Sequence, residues 1–265
     1  MRSSVLNGTA SALLVVLFVP ASYAIGGNND VYWHIDPSVK NCSMVIDPSL
    51  TQAQWKTFTK QAGAILSSKS LASAETLGKM KVNFHLDYSS TPVDQHDPAW
   101  INTFVHPDAD CPLGDEVVMP SLSAKIGVSD HVDIGVFWTN AGDANYGLVG
   151  GECKYSFSQE TKTLPAFAVR GSASILTRVE DYDLNVYSFD ILASKHFAML
   201  TPYVGLKESL SMGTETTSKV DLDEERLWIT QGFAGVTYAV WKLNFAAEYA
   251  ISEVNTFALT AGLGF

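Results

Sequence analysis

The chain has 265 residues, 46% of them hydrophobic, 17% charged and 11% aromatic, with 17 Lys+Arg against 28 Asp+Glu and a net charge of -11. That apolar content excludes a disordered chain, the acidic balance argues against a nucleic-acid binder, and the lack of a short strict repeat excludes collagen and coiled coil. Mean hydropathy is +0.08, yet no stretch after residue 24 supplies the roughly 20 apolar residues of a membrane-spanning helix.

The chain opens with Arg2, the apolar run Ala12 to Val19, Pro20, and Ser22-Tyr23-Ala24. A basic start, a short apolar core and small residues at the end form a secretory signal peptide over 1–24, cut after Ala24. Export implies an oxidising compartment, where Cys42, Cys111 and Cys153 allow one disulfide and one spare thiol, with the pairing open. Residues 25–77 form the next unit. Asp47-Pro48-Ser49 suits a helix start, and Leu50, Trp55, Phe58, Ala62, Ile65 and Leu66 follow helical spacing.

From residue 78 to 265 the period changes to two. Met80, Val82, Phe84, Leu86 and Tyr88 alternate with Lys81, Asn83, His85 and Asp87. The same pattern runs through 167–175, 187–194, 241–251 and 256–265, and more weakly through 117–127, 131–139, 145–157, 198–210 and 226–238. Alternate side chains of a strand point to opposite faces, so each segment is a strand with one apolar and one polar face. In 226–238 the frame is ambiguous, because both sets of alternate positions carry apolar residues. About ten strands result, each near the ~9–11 residues that cross a bilayer at a tilt.

Two architectures give such alternation: a soluble sandwich or barrel with the apolar face inward, and a membrane barrel with that face outward. Aromatics near strand ends (Tyr88, Trp138, Tyr155, Phe157, Tyr238, Trp241, Tyr249, Phe265) fit interfacial girdles. Long connections at 89–116 and 211–225 alternate with tight ones at 128–130 and 239–240, which is the loop rule of membrane barrels. The fold expected is all-β: a transmembrane up-and-down antiparallel barrel of about ten strands with a short, partly helical N-terminal segment. Placement of 25–77 stays open between a periplasmic cap and a plug inside the lumen. Ten strands leave little interior, so a full helix inside would call for twelve, two of them before residue 78.

The signal peptide, the amphipathic strands and the closing run Phe257-Ala-Leu-Thr-Ala-Gly-Leu-Gly-Phe265 together resemble Gram-negative outer-membrane β-barrel proteins. Leu200-Thr-Pro-Tyr-Val-Gly-Leu206 is similar to a strand common among them. The resemblance covers about 78–265 and implies class and location, not substrate. It implies that Phe257, Leu259, Leu263 and Phe265 act as the signal read by the barrel-assembly machinery, and that outer-membrane lipid and lipopolysaccharide surround the protein.

On this reading Lys81, His85, Asp87, Lys125, Asp133, Glu152, Lys154, Arg170, Asp190, Lys207, Lys242 and Glu248 line the lumen, and charges of both signs fill it by pairing. Cys153 falls in the lipid-facing frame. No nucleophile elbow, Cys-x-x-Cys pair, His-Glu-x-x-His or phosphate loop is present, so no cofactor and no catalytic residue is expected. His85 and Asp87 share a face with Ser121 and Ser123 on the next strand, the one arrangement a hydrolase could use. Acidic loops (Asp94, His96, Asp97, His106, Asp108, Asp110, Asp115 and Glu116; Glu215, Asp221, Asp223, Glu224 and Glu225) could bridge to lipopolysaccharide through a divalent cation. The function expected is a narrow channel or transporter for small solutes. The alternatives are a non-conducting structural or surface-interaction barrel and an outer-membrane hydrolase.

Overall fold

The computed structural model describes residues 44–104, 115–140 and 146–265. The expectations for residues 1–24, Cys42, His106, Asp108, Asp110 and Cys111 lie outside them.

Ten strands form a closed antiparallel barrel: β1 Val82–Pro92, β2 Glu116–Gly127, β3 Val132–Asn140, β4 Gly147–Ser158, β5 Ala166–Thr177, β6 Tyr182–Ser194, β7 Leu200–Glu215, β8 Glu225–Val240, β9 Leu243–Ile251 and β10 Thr256–Gly264. Each strand pairs with its neighbour in sequence, and β1 closes on β10 from Asn83↔Gly264 to Ser90↔Phe257. The up-and-down ten-stranded fold is therefore as expected, and closure leaves no unpaired edge. The strand ends Pro92, Glu116, Asn140, Gly147, Thr177, Tyr182, Glu215, Glu225, Ile251 and Thr256 lie at one rim, and Val82, Gly127, Val132, Ser158, Ala166, Ser194, Leu200, Val240, Leu243 and Gly264 at the other. We call these the long-loop rim and the short-turn rim.

The exterior carries the apolar half of the alternation. Phe84, Leu86, Ile134, Val136, Phe189, Ile191, Val204, Leu206, Phe257 and Leu259 are all exposed. Trp138, Tyr187, Trp228 and Tyr249 ring this belt toward the long-loop rim, and Tyr155, Phe157, Phe197, Trp241 and Phe265 toward the other. An apolar belt between aromatic girdles is the surface that a bilayer requires.

Some boundaries shift. The first strand begins at Val82, because Gly78 (φ 90°) and Met80 (φ 64°) turn the chain before it. The last tight turn is Trp241-Lys242, two residues beyond the expected position. The frame of 226–238 resolves with Ile229, Gln231 and Phe233 inward and Trp228 and Thr230 outward. Both faces looked apolar because the inner one packs on a helix.

That helix, α1 (Gln52–Leu66), starts at Thr51 rather than at Asp47-Pro48-Ser49. Thr51 and Gln54 form a reciprocal capping box, which satisfies two orphan donors at once. Asp47 instead accepts from Ser49 N in a turn just before it. A one-turn helix, α2 (Pro98–Ile101), lies in the first long connection.

The segment 44–81 runs through the barrel from rim to rim. At the long-loop rim Ile46 N donates to Asp181 (2.8 Å), Asp47 N to Asn102 O (2.8 Å), and Gln52 bonds Asp223 and Glu225. α1 then descends against β5, β6, β7 and β8. At the far end Thr76 bonds Asp130 O in the β2–β3 turn, and Met80 N bonds Gly127 O. A Cβ on Gly127 would stand 2.0 Å from Gly78 O, so only glycine lets the segment leave there.

Ten strands accommodate a helix because its wall-facing surface is nearly bare. A Cβ on Gly63 would lie 2.3 Å from Ser211 Oγ, and one on Gly213 2.6 Å from Thr59 Oγ1. Small residues on both partners bring backbone to backbone, so the twelve strands that a helix seemed to need are not required.

Candidate functional site

The lumen has three levels. Toward the long-loop rim it is an ordinary hydrophobic core. Trp55 and Phe58 of α1 meet Tyr182 of β6 edge-on at 5.4 and 5.5 Å between ring centres. Trp100 and Phe104 from the first long connection cover Phe58, and Met44, Ile46 and Leu50 complete the cluster. This end of the lumen is closed by apolar packing.

At mid-height α1 leans on β5–β8, and the opposite wall stays open. A cavity of about 60 Å³ remains there, bordered by Leu66, His85, Asp87, Ser121, Phe137 and Thr139. Register explains its polarity. Thr260, Asp87 and Ser121 lie side by side on β10, β1 and β2. Leu122 pairs with Trp138, which brings Thr139 next in the same row, and Thr139 pairs with Leu148 of β4.

Below the cavity α1 ends and residues 67–77 continue without regular structure. A non-helical backbone in a dry lumen needs partners for both its N–H and C=O groups. The strands have already spent their own backbone on the ladders, so wall side chains supply them. Arg170 donates to Ser68 O (3.2 Å) and Lys69 O (2.9 Å), and Lys207 to Ser68 O (2.5 Å). Lys125 donates to Ser70 O (3.2 Å), and Lys154 to Ser73 O (3.1 Å) and Glu75 O (2.6 Å). Carboxylates take the amides: Glu248 accepts from Ser70 N (3.3 Å) and Leu71 N (2.9 Å), and Asp133 from Leu77 N (3.1 Å). Lys69 turns back and caps α1 through Ala64 O, Ile65 O and Ser67 O, where a cation also meets the negative end of the helix dipole.

The same side chains pair with one another. Arg170 bridges Asp190 (2.7 Å) and Glu152 (2.8 Å). Lys125 joins Glu152 at 2.8 Å, and Lys154 joins Asp133 at 3.1 Å. Arg170 is 2% exposed and Asp190 fully buried, so each charge survives burial only through these partners.

The structure thus brings Lys125, Asp133, Glu152, Lys154, Arg170, Asp190, Lys207 and Glu248 together around the threaded segment, with His85 and Asp87 on the cavity wall above. Lys81 and Lys242 are not in the lumen. Lys81 precedes β1 and is exposed. Lys242 sits in a two-residue turn, over the rings of Trp241 and Phe265. Each lies one residue before the start of a strand, where no pleat holds the side chain inward. Phe257, Leu259 and Phe265 are exposed on the outer face. Cys153 is a free, exposed thiol.

Residues 67–77, Gln231, Ser194 and Thr139 did not stand out in the sequence. Gln231 accepts from Ser67 Oγ (2.8 Å), and Ser194 from Ala74 N (3.0 Å). The inward frame of β8 was the one available signal for Gln231.

The hydrolase arrangement does not assemble. Ser123 Oγ donates to Asp87 at 2.5 Å rather than to His85, Thr260 Oγ1 also donates to Asp87, and His85 shares its hydrogen bond with Asn244. Nucleophile–base catalysis needs the hydroxyl on the imidazole. In the acidic loops Glu224 pairs with Arg226, and Asp223 and Glu225 bond Gln52. Among the described residues, no cluster has a metal-holding arrangement.

Fold and lumen define the class: a closed ten-stranded barrel with an amphipathic exterior, threaded by its own N-terminal segment. No family model and no curated protein matches the chain. Solved structures do. Ail, the attachment invasion locus protein of Yersinia pestis, is 9% identical over 71% of this chain and 99% of its own, with a TM-score of 0.33. An outer-membrane channel from Pseudomonas putida F1 is 10% identical over 75% and 100%, with a TM-score of 0.45. The translocator domain of the autotransporter NalP from Neisseria meningitidis is 10% identical over 79% and 96%, with a TM-score of 0.38. The likeness is one of barrel architecture only.

Proposed function

We propose that the protein is a barrel of the Gram-negative outer membrane that serves as a narrow conduit for small solutes, closed at rest by the segment 44–81. The observation that carries this reading is the off-centre helix. α1 fills the β5–β8 side and leaves a cavity along β1–β3, edged by His85, Asp87, Ser121 and Thr139, that descends to the charged collar. A barrel with a purely structural role has no use for an open wall with polar side chains opposite its plug. Membrane barrels carry short turns on the periplasmic side and long loops outside, so the long-loop rim faces the exterior. The signal peptide, Phe257, Leu259, Leu263 and Phe265 as the assembly signal, and lipopolysaccharide as neighbour belong to the same reading.

The constriction under the cavity is the Lys125–Glu152 pair and its bond to Ser70 O. In planar bilayers the native protein should show only rare, brief openings. Lys125→Ala with Glu152→Ala should raise the open fraction several-fold. If neither conducts at any voltage or salt while both keep heat-modifiable gel mobility, the conduit reading is wrong. The apolar seal of Trp100 and Phe104 over Phe58 would then favour a surface-interaction barrel, because it makes the outer end a closed, built surface.

A further inference from the structure

Among the carboxylates of the lumen wall, the half-buried Asp87 stands apart. Asp133, Glu152 and Asp190 each hold a Lys or Arg within 3.1 Å, and Glu248 accepts two amides of the threaded segment and the Tyr203 hydroxyl. Among the described residues Asp87 has no ion-pair partner and receives only the hydroxyls of Ser123 and Thr260. It also faces the mid-height cavity. In the same row and on the same cavity, Thr139 is 4% exposed, and its Oγ1 has no hydrogen-bond partner among the described residues. A half-buried carboxylate without a salt bridge and a buried hydroxyl without a partner leave two polar groups that one bound molecule can answer.

The cations near the cavity are already engaged. Lys125 is held by Glu152 and Ser70 O, and Lys69 by three carbonyls at the end of α1; the His85 imidazole, beside Asp87, bonds Asn244. The charge left to answer is therefore negative. Neighbouring strands lie about 4.8 Å apart, so Asp87 and Thr139 are roughly 9–10 Å apart at the backbone. Leu66, Met119 and Phe137 supply apolar contact between them. At ~10–15 Å³ per water, 60 Å³ holds about four to six small heavy atoms.

We propose that this cavity is a binding site for a small hydroxyl-bearing ammonium compound, its cation on Asp87 and its hydroxyl on Thr139. The inference rests on the conduit reading and gives it a substrate class, because a carboxylate on a pore wall selects cations. A ligand of four heavy atoms binds no tighter than roughly 10–100 µM.

The test uses the full chain folded in detergent micelles and follows binding by saturation-transfer NMR. Ethanolamine should bind, while ethylene glycol, of equal size but neutral, and glycolate, larger by one oxygen and anionic, should not. Asp87→Asn should weaken ethanolamine at least tenfold. Thr139→Val, which keeps shape, should weaken ethanolamine about three- to fivefold but leave ethylammonium unchanged. Binding of glycolate, or ethanolamine binding that Asp87→Asn leaves intact, would overturn the assignment. Ethanolamine binding by a protein that never conducts would retain the site and remove the conduit. Conduction without ethanolamine binding would do the reverse.

Discussion

Replacing Arg170 with methionine separates the two jobs of the collar. Arg170 holds two carboxylates, Asp190 at 2.7 Å and Glu152 at 2.8 Å, and three acceptors of the threaded segment. Glu152 keeps Lys125 after the change, but Asp190, fully buried, loses the one ion pair it makes among the described residues. Removing one partner of a buried pair costs about 3–5 kcal/mol. Adding Asp190→Leu removes the stranded charge. The double variant should then lose only about 1–3 kcal/mol, the cost of leaving Lys69 O and Ser68 Oγ without their donor. Ser68 O keeps Lys207. Urea unfolding in micelles, followed by the fluorescence of the buried Trp55 and Trp100, measures both. The reasoning is refuted if the single variant loses under about 1 kcal/mol, or if the double variant is no more stable than the single.

Two further outcomes test the path of the chain. Pro48 and Ser49 are exposed at the long-loop rim, so Ser49→Cys, with the native cysteines replaced, should react with an impermeant maleimide on intact cells. Lys162→Cys, in a short-turn-rim connection, should react only after the outer membrane is opened; the opposite pattern would invert the orientation. Asp181 anchors the entry of the segment: burial raises its pKa, but the bonds from Lys219, Ile46 N and Thr217 outweigh that and hold it below the ordinary 3.8. A lowered pKa contributes stability above the unfolded value and loses it as pH falls through the folded one. The protection factor of the Ile46 amide should therefore stay high at pH 6 and fall below about pH 4, and Asp181→Asn should lower it at pH 6; a protection factor indifferent to both would refute the anchor.

The barrel was legible because a strand's period is two and a lipid-facing belt needs every second residue apolar. Phe257, Leu259 and Phe189, Ile191 announced their strands directly. Where both faces are apolar the signal failed, as in β8, whose Ile229 and Phe233 pack inward around the threaded segment and whose Trp228 faces outward. The helix was legible from Trp55, Phe58, Ala62 and Ile65, but its place was not. Helical spacing shows that one face is buried and leaves open what buries it. Gly63 and Gly213, which let helix and wall meet, look like any other glycines in the sequence. The charged lumen positions were legible as a set. Their task was not, since pairing was the expected role for mixed charge and the partners lie some 55 to 180 residues away in sequence.

That task explains why the lumen carries both signs at all. A helix satisfies its own backbone, and around α1 the wall is apolar or small: Leu184, Val186, Ser211, Gly213, Ile229. Once the helix stops at Leu66, each residue of the segment exposes a donor and an acceptor. A wall of cations alone would answer only the carbonyls, and a wall of carboxylates only the amides. Lys125, Lys154, Arg170 and Lys207 against Asp133 and Glu248 answer both, and the ion pairs between them keep the ungripped charges quiet. The collar also differs from the apolar seal above it in how it can be undone. Apolar packing yields only to a change that exposes it to water. A polar grip can be exchanged bond for bond with water or with a polar solute, at little net cost per hydrogen bond. The closure nearest the cavity is thus built from the one kind of contact that a polar solute can replace.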